Sequence, residues 1–417
     1  VGDFSAPVQF AMLANLADGI RRSTDPTGVM TSVPAFIDGM AQYGVRELTG
    51  GTYGPASGIE TTVDMIPSDV GNDWTAVSTG IGIAAYCGGL LFDGQRRLLW
   101  NMEGHTDGAF NGLMTFDLTP VSGRPTGGLL LPGSLSDIDD VTGGTGNFES
   151  YTADGRPGAR HTYAGFADDY ASSGLVYMLG GGLYSNGGKT DYIWSFDVDS
   201  GVWDQVIQHA TNLGSGVVAY TITDPTERKI LIYKGDFYYQ FFRMSDQTLS
   251  SRKTFDVGHQ TAADVPGLES GVGYDPTRSR AIFVGHDGSK LLNWTIDWSA
   301  ETITHGTNLG FTGTTTHQRK GVSVIYHPTR DTFICVGGDI VTAANSNTYA
   351  NLYEFDAALS SPGSTAVTTR ALGSTMPVTT GNRGTWGRFA LVEDWDVIVG
   401  VSDHENAPQV ISLTDRT

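Results

Sequence analysis

The sequence predicts an all-β fold, a seven-bladed β-propeller closed into a ring by an N-terminal strand, and three observations carry that expectation. Glycine is abundant, 56 of 417 residues, with no collagen period, which suits short strands joined by tight turns. A unit of two apolar strands around a polar turn, a glycine loop and a third strand ending in Asp recurs along the chain. The last copy of this unit stops after its third strand, while a spare apolar segment precedes the first.

The clearest copies are GVVAYTITDPTERKILIYKGD (216–236), GVGYDPTRSRAIFVGHDG (271–288) and GVSVIYHPTRDTFICVGGD (321–339). Their turns read Asp224-Pro225-Thr226, Asp275-Pro276-Thr277 and His327-Pro328-Thr329. Proline sets φ for a turn and cannot donate within a central strand, so these triplets mark hairpins. The flanking runs are rich in Val, Ile, Phe and Tyr, as strands are.

The fullest copy spans 160–206, with Gly180-Gly181-Gly182 after its second strand and Trp203 opening its fourth. This arrangement resembles the kelch motif, which has a glycine pair after the second strand and a Trp near the fourth. With that template two weaker copies become readable, at 83–118 and 386–413. A third, 32–74, aligns Leu48 to Tyr53 with Leu179 to Tyr184 and places Trp74 where Trp203 falls.

Blades are therefore expected to start near 31, 83, 160, 216, 271, 321 and 387, within one domain spanning 1–417. Residues 119–159 read as an inserted loop over one face. An unpaired final edge invites aggregation, so Pro7 to Leu13 is expected to supply the missing strand and close the ring.

Composition bounds the function. The net charge of −20 argues against a nucleic-acid partner, because neutralising phosphates needs a basic surface. No apolar run reaches the length of a membrane helix, and no leader with a basic start and cleavage site is visible. The two cysteines, Cys87 and Cys335, lie in apolar runs and read as buried hydrophobes, with no CxxC pair to suggest zinc or redox chemistry. Neither a cofactor nor a metal is expected.

Propeller connectivity puts the first hairpin turn of each blade on one face, and the second-to-third loops and crossovers on the other. Eight of the nine histidines belong to the second face, and only His327 to the turn face. The densest candidate cluster there is Glu103, His105, Asp107 and Asn111, beside Arg160, His161 and Tyr163 at the start of the next blade. His286, His317, Arg319 and His404 complete the candidate binding residues. A cation and His can neutralise a uronate carboxylate while Tyr or His removes the C5 proton. In residue types and fold, and in these alone, this resembles the ulvan-type polysaccharide lyases, which leaves His105, Arg160, His161 and Tyr163 as candidate catalytic residues of such a lyase. The same Arg160 and His161 can instead pack at a strand start, a purely structural role.

No catalytic motif is complete. The leading expectation is a non-catalytic propeller of an extracellular or virion-surface assembly, contacting a glycan or protein partner through its long-loop face. The alternative is a secreted lyase acting on an acidic glycan.

Overall fold

The computed structural model describes residues 59–60, 75–76, 89–92, 97–101, 113–121, 124–131, 157, 160–162, 164–183, 192–198, 202–207, 220–233, 238–255, 271–284, 290–306, 309–312, 322–336, 339–340, 347–348, 351–358, 365–366, 368–371, 387–400 and 409–413. Most of them lie in sheets that are antiparallel but for one short pairing, and among the described residues helix is confined to one turn at Tyr170–Ser173 and a 3-10 turn at Glu393–Trp395.

Each principal sheet is a meander whose first strand lies innermost. Blade I runs Gly89–Phe92, Arg97–Asn101, Leu113–Val121 and Arg124–Leu131, and is described through its backbone pairing. Blades II to VI, five sheets described through side chains as well, begin at Phe166–Asp169, Tyr220–Asp224, Gly271–Asp275, Ser323–His327 and Phe389–Val392. Each inner strand lies against the next, and that of blade VI returns to that of blade I, so the sheets form a β-propeller.

The second strands explain the ring's cohesion. Their sequences, LVYML, KILIY, RAIFV, TFICV and VIVG, are continuous apolar runs rather than alternating ones. A strand buried on both faces needs apolar residues on both. Ile230 and Ile232 of blade III pack with Tyr177, Leu179 and Ile193 of blade II. Their neighbours Leu231 and Tyr233 pack the other way, against Phe283 and Trp294 of blade IV. The same division joins Ile282 and Val284 to Phe333 and Cys335, and Ile334 and Val336 to Phe389 and Ile398. Cys335 is fully buried, one more member of this core.

Three expectations need correction or relocation. The count of seven blades is not met. Within the stretch expected to form the first blade, Ile59–Glu60 pairs with Thr126 and Gly127 at the outer edge of blade I. Thr75–Ala76 pairs with Gln409 and Val410 as the fourth strand of blade VI. The inner strands of blades VI and I touch directly, which leaves no gap for another blade between them. The described part of 32–74 therefore adds an edge strand to blade I, and the strand just after it completes blade VI.

Residues 119–121 and 124–131, expected within an inserted loop, continue the third strand of blade I and form its fourth. The glycine-rich look misled there: Gly127 and Gly128 stand opposite Phe116 and Thr115 in the ladder. The rest of that expected loop, apart from 157, lies outside the described residues, as do 7–13 and the start near 31.

Candidate functional site

Three places in this architecture bear on function: the axis, the turn face and the long-loop face. The inner strands enclose an axial cavity of about 400 Å³, lined by Gly89, Ala164, Thr221, Gly271, Val324 and Phe389 among others, so every described blade contributes. Its lining residues are mostly apolar in type, and the hydroxyls of Thr221, Tyr274 and Tyr326 are engaged. Thr221 Oγ1 donates to the Ala164 carbonyl at 2.6 Å and lies 3.0 Å from that of Phe166. Tyr274 donates to Asp224 Oδ2 at 2.8 Å and accepts from Trp298 Nε1 at 2.7 Å. Burial, and then the Asp224 carboxylate, push ionisation of Tyr274 far above the ordinary tyrosine range. Burial likewise raises Tyr326, whose hydroxyl donates to Asp331. Neither phenol is set up to act as a base near neutral pH.

The turn face is a series of blade-to-blade clasps. In blades III to V a four-residue hairpin loop ends in a residue with left-handed backbone: Arg228 (φ 51°), Ser279 (φ 48°) and Asp331 (φ 52°). In blade VI the 3-10 turn ends at Asp396 (φ 50°) in the same way. Side chains forced into that region strain the backbone, and three of the four reach the preceding blade. Arg228 pairs with Asp169 of blade II at 2.6 Å. Asp331 accepts from Arg278 of blade IV at 2.6–2.7 Å, and Arg278 also holds Asp275 at 2.7 Å. Asp396 accepts from His327 Nε2 at 2.9 Å and from Arg330 at 2.8 Å, both in blade V. The Arg278 guanidinium holds the Asp331 carboxyl below the usual carboxylate range. Burial opposes ionisation of Asp396, but the hydrogen bonds from His327 and Arg330 outweigh it and hold that carboxyl low as well.

The long-loop face carries short added ladders. Arg160–His161 pairs with Gly182–Leu183, His161 opposite Gly182 and Arg160 opposite Leu183. Asp339–Ile340 pairs with Asn347–Thr348 in the loop after the second strand of blade V. The backbone thus brings two predicted site residues, Arg160 and His161, onto the glycine loop of their own blade. Glu103, His105, Asp107, Asn111, Tyr163, His286, His317, Arg319 and His404 lie outside the described residues. Among the described residues no group of three or more His, Cys, Asp or Glu is placed to hold a metal ion.

Sequence reasoning passed over the clasp residues His327, Arg330 and Asp396. The signal was present in the HPTR turn, where DPTE and DPTR stand in the neighbouring copies. The partner, however, lies 69 residues away in another blade, and only the fold brings it near. His305 is half-buried against the core, its ring centroid 5.0 Å from that of Phe255 and 5.4 Å from that of Trp294.

No family model and no curated protein matches the chain. Among solved structures, a nidogen/laminin complex is similar at 12% identity and TM-score 0.37, covering 71% of this chain and 83% of that one. A protein of Desulfotomaculum acetoxidans is similar at 11% identity and TM-score 0.44, over 78% and 82%. A protein of Lactobacillus plantarum is similar at 14% identity and TM-score 0.43, over 75% and 77%. The propeller assignment rests on the sheet order and on the contacts between inner strands.

Proposed function

We propose that this chain is a non-catalytic binding propeller of an extracellular or virion-surface assembly, and that it engages a glycan or protein partner through the long-loop face. One observation carries the reading: the two faces divide the work. On the turn face the buried and half-buried polar groups Asp169, Asp275, His327 and Asp396 are all paired, and the partners of Asp169, His327 and Asp396 lie in the adjoining blade. On the opposite face the loops are extended and stiffened by ladders of their own. A rigid ring that presents stiffened loops lowers the ordering cost of binding, and loops on a rigid scaffold are where recognition concentrates.

The blades are proposed to be of kelch type. Gly180 and Gly181 both take positive φ, 59° and 116°, directly after a second strand. Trp203 on the fourth strand packs its ring 4.8 Å from Phe196 on the third.

The test is retention of the full chain on immobilised neutral and uronate polysaccharides, with the soluble fraction monitored for the absorbance of a new C4–C5 double bond. The expected result is retention without unsaturated product, weakened by Arg160→Ala and by replacing 339–348 with a Gly-Ser linker. An unsaturated product that disappears in His105→Ala and His161→Ala overturns the reading in favour of a lyase. Retention that survives every long-loop change also overturns it.

A further inference from the structure

The first residue of the hairpin turn differs between blades in a way that matters for protons. In blade III, Asp224 Oδ1 accepts the amides of Thr226 and Glu227, each at 2.9 Å. In blade IV, Asp275 Oδ1 accepts those of Thr277 and Arg278, at 2.9 and 3.2 Å. Blade V has His327 at this position, and its Nδ1 accepts the Arg330 amide at 3.3 Å. A ring nitrogen that accepts carries no proton, so the neutral ring must carry its proton on Nε2. That nitrogen donates across the seam to Asp396 of blade VI.

The His327 side chain is 3% exposed. The charged groups around it are few and identifiable. Asp396 and Arg330 are in contact with it or its turn. Glu354 lies 4.0 Å from Arg330. Glu393 of blade VI accepts from Thr329, and Asp331 faces Arg278 of blade IV.

We propose that His327 makes the 328–330 turn of blade V, beside the seam with blade VI, the proton-responsive element of the ring. A proton taken from solvent at Nδ1 displaces the Arg330 amide and releases the 328–330 turn. The Nε2–H···Asp396 bond survives and becomes a charge-assisted one. Acid therefore loosens one turn while the seam stays shut. The turns of blades III and IV, capped by carboxylates, keep their amides through the same range. An imidazole changes charge between pH 5 and 8, where an ordinary carboxylate does not.

The experiment is hydrogen exchange on the full chain at pH 7.5 and pH 5.5, corrected for intrinsic rates. The amide of Arg330 is compared with that of Arg278 in the equivalent turn. The expected result is a loss of protection at Arg330 of about threefold to tenfold, the equilibrium factor of one net hydrogen bond, with Arg278 unchanged. The variant His327→Asp, which recreates the Asp275–Arg278–Asp331 arrangement, is expected to abolish the difference. Equal changes at the two turns, no change at Arg330, or the same loss in His327→Asp overturns the proposal. Imidazole nitrogen shifts in the unmodified chain give a second reading independent of any variant. A proton on Nδ1 at pH 7.5 overturns the proposal equally.

Discussion

Arg228 and Asp169, 59 residues apart in sequence and in neighbouring blades, form a two-pronged ion pair, with Nε 3.0 Å and Nη2 2.6 Å from the two carboxylate oxygens. The Asp169 side chain is almost wholly buried, and Ser173 Oγ donates to it as well. Removing the arginine leaves a buried carboxylate without its cation, which costs far more than losing an exposed pair. Arg228→Met is expected to destabilise the chain by about 3 kcal/mol, read from urea denaturation. Arg228→Lys should restore only part of this, because an ammonium cannot make the fork. An effect near zero for Arg228→Met would mean that the apolar contacts alone hold blades II and III.

The acid limb of stability should trace to Asp331 and Asp396, whose carboxyls are both held low in the fold. A depressed folded value contributes stability that is present above the unfolded value, about 3.9 for Asp. That contribution is lost as pH falls from there through the lower folded value. Denaturation midpoints are expected to drop below about pH 4, and Asp396→Asn should flatten that drop. Asp331, with 43% of its side chain exposed, should contribute the smaller share because solvent screens it. A drop equally steep in the Asp331→Asn/Asp396→Asn double variant would place the acid response elsewhere.

Blades IV and V approach so closely that only glycine fits at two inner positions. A Cβ at Gly271 would overlap Val322, both its side chain and its carbonyl. One at Gly273 would lie 2.8 Å from Val324 and 2.9 Å from Phe333. Gly271→Ala is expected to cost about 2 kcal/mol through overpacking, measured by thermal or urea unfolding. Gly174→Ala makes a useful contrast: no atom crowds that position, and only its φ of 75° resists a side chain.

Ring closure rests on Thr75–Ala76 beside Gln409 and Val410. Substituting both with Pro removes their amides from the ladder. The expected loss is about 2 kcal/mol, the order of one or two ladder hydrogen bonds left unmade. The same exchange of prolines into an exposed turn should cost little. Unchanged stability of the Thr75→Pro/Ala76→Pro variant would show that the ring closes by another contact.

Much of the fold was legible because local chemistry announces it. The Asp-Pro-Thr and His-Pro-Thr turns sit where the hairpins are, at 224–229, 275–280 and 327–332. The apolar runs after them are the doubly buried second strands. The blade count was not legible, since a short edge strand such as Ile59–Glu60 carries no signal of which sheet it joins. A strand of two residues is stabilised by the edge it meets, not by its own sequence. Gly127 and Gly128 misread for a related reason: opposite Phe116 a glycine serves a ladder, although alone it suggests a loop. Of the candidate site, only the placement of Arg160 and His161 beside a glycine loop can be traced in the fold.

The sequence by itself determined that this chain is all-β and built of repeated hairpin units, because turn residues and strand runs act over a few neighbouring positions. Only the tertiary structure decided which segment completes the final blade, how many sheets fit around the axis, and which charges meet across the seams. Those outcomes depend on side chains 50 to 70 residues apart, such as Tyr274 with Asp224 and His327 with Asp396. Their pairing energy exists only once the blades are packed, since neither partner alone carries a mark of the other.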